Sequence, residues 1–204
     1  TVELNGSGNV VFTPNSELDA LRAGETSDVT LNYTITDGSA TDSATITVRV
    51  IGTNDGPVLS DLSGTLSYTE GDGAIVIDNT ITLTDVDDTN IEGATVQISG
   101  NYQSSEDLLS FTDQNGISGS WNSSTGALTL SGTATKAQYE SALESVKYSN
   151  SSESPDTADR TVNWTVTDGH TTSSAGTSTI SVSDSNDIAT TSDISASGLE
   201  DASS

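Results

Sequence analysis

Apolar residues are sparse along this chain, and where they occur they alternate. Leu31, Tyr33 and Ile35 fall on one side of an extended segment, with Asn32 and Thr34 on the other. Ala44, Ile46, Val48 and Val50 alternate in the same way with Thr45, Thr47 and Arg49. Period-2 alternation marks a strand with one face turned inward. Thr36-Asp37-Gly38-Ser39 between the two runs is a turn cluster, so the pair predicts a hairpin. Val2/Leu4 and Val10/Phe12 predict two shorter strands around Gly6-Ser7-Gly8.

The signature returns about 130 residues later. Val162, Trp164 and Val166 alternate with Asn163 and Thr165, Thr167-Asp168-Gly169 makes the turn, and Ile180 and Val182 continue. The first hairpin runs into Gly52-Thr53-Asn54-Asp55-Gly56-Pro57, the second into Asp184-Ser185-Asn186-Asp187. This repeat places boundaries at the Asn-Asp segments. Residues 1–55 have too few strands to bury a core alone and read as the C-terminal part of a β-sandwich. Residues 56–187 read as one complete unit, and 188–204 as the start of a next repeat or a disordered tail.

Within the complete unit, strands are predicted at 64–68, 74–77, 80–84, 94–98, 107–111, 117–121, 127–131, 146–149, 160–167 and 176–183. Short strands at this spacing, joined by polar turns, indicate an all-β, two-sheet antiparallel sandwich. One interruption is helical. Thr135 and Gln138 have capping-box spacing, and Tyr139, Leu143 and Val146 follow at helical intervals with Glu140 and Glu144 outward. A short helix is therefore expected at about 135–145.

Composition changes the picture in two ways. The 204 residues carry 30 acidic against 5 basic side chains, a net charge of −25. Such a charge repels nucleic acid and anionic lipid, and no apolar run is long enough to insert in a membrane. There is no Cys and a single His, His170, so thiolate zinc sites, disulfides and cysteine nucleophiles are excluded. High charge with only 31% hydrophobic residues is also the signature of disorder, but a disordered segment has no reason to alternate.

The acids are clustered. Asp85-Val86-Asp87-Asp88 follows a strand; Asn54-Asp55, Glu70-Gly71-Asp72, Glu106-Asp107 and Asp184 to Asp187 sit in loops or at strand ends. Carboxylates gathered at a sandwich pole repel one another unless a cation intervenes. Asp, Asn and Gly in loops are the donors of Ca²⁺, which takes six to eight oxygens in flexible geometry, whereas Mg²⁺ demands a tighter octahedron. The alternative is a solvated acidic turn, or for Asn54-Asp55 an Asx turn before Pro57.

Two stretches resemble known repeat families. Residues 2–57, with Gly-Asn-Val-Val-Phe-Thr-Pro-Asn at 8–15, Tyr33-Thr-Ile-Thr-Asp-Gly and Gly52-Thr-Asn-Asp-Gly-Pro-Val, resemble the C-terminal part of a VCBS-type repeat. Residues 57–187 are similar to cadherin-like repeats of large bacterial RTX adhesins, through Tyr68-Thr-Glu-Gly, Leu83-Thr-Asp-Val-Asp-Asp, Glu106-Asp-Leu-Leu-Ser-Phe, Leu128-Thr-Leu-Ser-Gly-Thr-Ala-Thr and Val166-Thr-Asp-Gly. The resemblance implies tandem Ig-like or cadherin-like sandwiches with Ca²⁺ at their junctions. It implies ligands Asn54, Asp55, Glu70, Asp85 and Asp87 at the first junction, Asn186, Asp187 and Glu200 at the next, and Glu106 and Asp107 as a mid-domain acidic pair. Thr53 stands where cadherins carry the first linker Asp, and Asn186-Asp187-Ile188-Ala189 lacks the usual proline.

The function implied is a Ca²⁺-rigidified extender segment of an extracellular bacterial adhesin, supporting cell or biofilm adhesion. Its partners would be neighbouring repeats of the same chain, with glycan or protein ligands bound through other domains, and the fragment itself would be monomeric. A second reading is a Ca²⁺-dependent glycan- or peptide-binding module built on loops 101–126 with Tyr102, Asp113 and Trp121. Nothing marks a catalytic acid pair. Asp37 and Asp168 read as hairpin-turn residues, and Trp121 and Trp164 as strand residues of the core.

Overall fold

The structure is a computed structural model that describes residues 1–62 and 64–186. The first four strands form two hairpins: β1 (Val2–Leu4) with β2 (Val10–Phe12), and, after a single-turn helix α1 (Ser16–Asp19), β3 (Thr26–Thr36) with β4 (Thr41–Ile51). Val29 faces Val48, Leu31 faces Ile46 and Tyr33 faces Ala44 across the long hairpin, as the alternation requires. These apolar positions are only partly covered, and within residues 1–55 Val2 alone is buried.

The remaining elements build the sandwich. They are β5 (Val58–Ser60), β6 (Thr65–Thr69), β7 (Ile75–Val76), β8 (Thr82–Thr84), β9 (Asn90–Gly100), β10 (Asp107–Ser110), β11 (Ser118–Asn122), β12 (Ala127–Thr135), α2 (Lys136–Leu143), β13 (Lys147–Asn150), β14 (Arg160–Thr167) and β15 (Gly176–Ser183), followed by the exit segment 184–186. One sheet has six strands in the order β11-β12-β9-β14-β15-β6. Facing it are β10-β13-β7 and the pair β5-β8. Between them lies a single core in which Val96, Leu128, Leu130, Val162, Trp164 and Ile180 meet Leu83, Leu109, Tyr139, Leu143 and Tyr148.

Helix α2 forms where the capping box places it. Thr135 Oγ1 accepts from the Gln138 N–H, and Gln138 Oε1 accepts from the Thr135 N–H. Its inner face buries Tyr139, Ala142 and Leu143, and Val146 is buried just beyond it. Burial raises the Tyr139 phenol to about 12, with the Glu92 charge adding to the effect.

Three expectations need correction. The large sheet is not wholly antiparallel: β6 runs parallel to β15, with Thr65 beside Thr179 and Thr69 beside Ser183. Single-sequence alternation carries no direction, so it could not show this. Glu140 does not face outward to solvent; its Oε1 accepts from the Leu83 N–H at 2.7 Å. The first strand of the sandwich, β5, is not among the strands the sequence pattern predicts.

Candidate metal centre

The topology sorts the acidic residues into two poles. At one lie the linker 54–57, the loop 85–89 after β8, the start of β9 and the turn after β14. Thr167 pairs with Gly93 there, and Thr135 with Asn90. At the other lie the ends of β6, β9, β13 and β15 and the starts of β10 and β14.

The loop at the first pole folds on itself. Asp85 Oδ1 accepts from the backbone N–H of Asp87 (3.2 Å) and of Asp88 (2.9 Å), an Asx-type turn. Asp87 Oδ2 accepts from the Asp55 N–H at 3.2 Å, which brings the linker to the loop. Carboxylate oxygens of Asp85, Asp87 and Asp88 lie within 4.8 Å of one another. Arg22, from the loop before β3, donates from Nε to the Asp87 carbonyl at 3.0 Å and approaches Asp88 Oδ1 at 3.6 Å.

Asp168 completes the pole. Its Oδ1 accepts from the His170 and Thr171 N–H groups at 2.7 and 2.6 Å, and its Oδ2 accepts from Asn54 Nδ2 at 2.8 Å. Burial pushes the Asp168 carboxyl up, but the Thr171 amide, Asn54 and the His170 amide together outweigh it and leave its pKa below the usual value. Asp85 is held above its usual value, first by burial and then by the Asp87 carboxyl beside it. Glu92 is raised by burial and by the charges of Asp88 and Asp168.

Three oxygens here have no protein partner although no water reaches them: Asp85 Oδ2, Asp87 Oδ1 and Glu92 Oε2. An unpaired buried carboxylate costs several kcal/mol. A hard dication supplies the missing partner, and the donors are all oxygens, as Ca²⁺ requires. The residues present therefore fit Ca²⁺. Asp85, Asp87 and Asp88 would hold it, with the buried Glu92 carboxylate nearby and Asn54, Asp55 and Asp168 tying the linker to the same pole.

The sequence-derived ligands divide accordingly. Asn54, Asp55, Asp85 and Asp87 are brought together. Glu70 is not; it lies at the opposite pole, where its Oε2 accepts from the Ser185 N–H at 3.0 Å, beside Asn186 in the exit segment. Asp187 and Glu200 lie outside the described residues. Asp107 is engaged by the fold: Arg160 Nε, the Tyr148 hydroxyl, Asn150 Nδ2 and the Gln103 N–H all donate to its carboxylate. Glu106 keeps one buried oxygen, Oε2, without a partner.

Glu92 and Asp168 were missed. Glu92 lies inside a strand, where a lone acid reads as an outward polar position. Asp168 sits in Thr-Asp-Gly, and it does make that turn; the signal for its second role was the nearby Asn-Asp linker, visible only in three dimensions. The residues of the alternative binding module are engaged internally. Tyr102 and Trp121 pack edge to face with centroids 6.1 Å apart, the Tyr102 hydroxyl donates to the Ser123 carbonyl, and Asp113 Oδ1 accepts from the Gly119 N–H.

Among the described residues no helix is long and apolar enough to cross a membrane. Over 163 residues the chain is 33% identical to halomucin of Haloquadratum walsbyi (strain DSM 16790 / HBSQ001), a match covering 71% of this chain and 2% of that protein. The chain thus spans a small fraction of the relative it matches. Residues 1–49 match the family model described as bacterial Ig domain, a match that is not specific to the VCBS-type repeat expected over residues 2–57. With the strand architecture, the family match indicates an Ig-like domain in an all-β chain, and the second match shows similarity to a small part of a much longer protein.

Proposed function

We propose that this chain is a Ca²⁺-rigidified structural segment of an extracellular bacterial adhesin, with the ion held where residues 1–55 meet residues 56–186. Residues 1–55 are the closing strands of one sandwich and 56–186 the body of the next, continued by neighbouring repeats. The observation that carries the reading is the pair of buried, unpartnered carboxylate oxygens on Asp85 and Asp87, in a cluster with Asp88 whose oxygens lie within 4.8 Å of one another. Without the ion these charges repel and loosen the junction. With it, the attachment that Asn54 and Asp55 already make to the sandwich is reinforced, and a string of such units stiffens into a rod.

Extracellular modules bind Ca²⁺ with dissociation constants of about 0.1–1 mM. At a hundredfold excess over that constant, one site adds about 2.7 kcal/mol to the folded state. For a chain of this size that raises the melting temperature by about 5–10 °C. Melting in Ca²⁺ and in EDTA, paired with solution scattering, tests the reading. Asp87→Asn and Asp85→Asn should each abolish the Ca²⁺-induced shift and the extended shape. Equal melting temperatures of the wild-type chain in Ca²⁺ and EDTA would remove the ion from the account.

A further inference from the structure

An acidic loop offers its carboxylates to an ion only if something holds the loop against its own repulsion beforehand. Lys136, the first residue of α2, is placed to do so. Its Nζ donates to the carbonyls of Asp85 and Asp88, each at 2.6 Å, and its backbone N–H donates to the Thr89 carbonyl at 3.3 Å. One residue thus fastens three carbonyls in a five-residue stretch. One helical turn further on, Glu140 fixes the Leu83 N–H that leads into the same loop.

The direction of these bonds matters. Among the described residues Lys136 makes no ion pair with any carboxylate. Its ammonium holds the main chain, while Asp85 Oδ2 and Asp87 Oδ1 stay without a protein partner. We propose that Lys136 is a positioning residue for the cation: it fixes the 85–88 loop through its carbonyls and so leaves the carboxylates preformed for the ion. This rests on the reading of the junction as a Ca²⁺ site.

The two physical effects of this lysine have opposite signs. A fixed positive charge repels a second cation, so by charge alone its removal tightens Ca²⁺ binding. As a support its removal weakens binding, and loss of an outer partner of a metal ligand typically costs about 10–100-fold in affinity. Calorimetric titration of the full chain with Ca²⁺ separates them. Lys136→Met, which keeps the aliphatic stem, should bind at least about tenfold more weakly than wild type. Lys136→Arg, which keeps a multi-donor cation, should recover to within about threefold. Lys147→Met removes the same charge from β13 in the opposite sheet and should change nothing.

If Lys136→Met binds as tightly as wild type or more tightly, or if Arg is no better than Met, Lys136 is not a positioning residue and the Ca²⁺ reading stands. If wild type takes up no Ca²⁺, the reading fails and takes this inference with it. Amide exchange on the Ca²⁺-free wild-type chain needs no variant. The Asp87 and Asp88 amides, bonded to Asp85 Oδ1, should be protected; exchange at the rate of an open loop would overturn the proposal.

Discussion

Asn54 and Asp168 stand 114 positions apart in the chain and are joined side chain to side chain by a 2.8 Å hydrogen bond. The same Asn54 amide also donates to the Thr171 hydroxyl and to the carbonyl of Asp55. The linker is therefore fastened to the turn after β14 by the protein's own groups, before any ion is considered. Asn54→Ala removes a bond to a charged acceptor and should lower stability by about 1.5 kcal/mol in EDTA, read as a lower denaturation midpoint with an unchanged slope. An unmoved midpoint would mean that this bond does not anchor the linker.

The ion-free chain should have an unusual pH profile. Asp85 and Glu92 are raised chiefly by burial, from ordinary values of 3.8 and 4.5. Folded, they hold their protons more tightly than unfolded. Their contribution is complete below the unfolded values and fades as pH climbs through the higher folded ones. Asp168, with the exposed Asp28 and Asp37, is lowered, so its contribution is lost in a separate window as pH falls below 3.8. In EDTA these two groups should therefore make the melting temperature fall as pH rises above their ordinary values of 3.8 and 4.5. Saturating Ca²⁺, which binds the ionised forms, should reverse that trend. A metal-free chain that gains stability over this range would contradict the placement of Asp85 and Glu92.

Asp107 tests the difference between a ligand and a support. It pairs with Arg160, and both side chains are fully buried. Asp107→Asn leaves the guanidinium charge without its counter-ion and should cost about 3–5 kcal/mol, equally in Ca²⁺ and in EDTA. A loss confined to the Ca²⁺ condition would make Asp107 a metal ligand after all.

Gly52 holds Arg22 in place from behind. A Cβ at Gly52 would lie 2.3 Å from the Leu21 carbonyl oxygen and 2.4 Å from that of Arg22, both rigid backbone atoms. Gly52→Ala must push the 21–25 loop away and with it the Arg22 contact to the Asp87 carbonyl. We expect a loss of about 1–3 kcal/mol, as for other forced overpacking, and a broader interdomain distribution by scattering. An unchanged scattering profile would show that Arg22 does not set the junction.

How much of this was legible in the chain depends on the range of the interaction. The β3–β4 hairpin, the strands from β9 to β15 and the capped helix are written locally, in alternation, turn residues and the Thr135/Gln138 pair. Asp85 and Asp87 were legible because their spacing makes a loop on its own. What the local pattern did not carry was everything decided by topology. Glu70 follows a strand whose parallel pairing with β15 carries it to the far pole. Asp107 has the same local look as Asp85, and only the fully buried Arg160, 53 positions on, distinguishes them. Glu92 and Asp168 carry no motif beyond a strand and a turn; each becomes a member of the pole because β9 and β14 are neighbours.

The parallel alignment of β6 and β15 has a mechanical meaning. A pull along the chain enters through the linker at one pole and leaves after Ser183 at the other. It therefore drags these two strands past each other lengthwise, and the five residue pairs from Thr65–Thr179 to Thr69–Ser183 carry the tension together. An antiparallel edge pair pulled from one end would open pair by pair, like a zip. In this geometry the pairs of the β6–β15 ladder are loaded together in shear, a consequence of strand direction that the amino-acid pattern could not reveal.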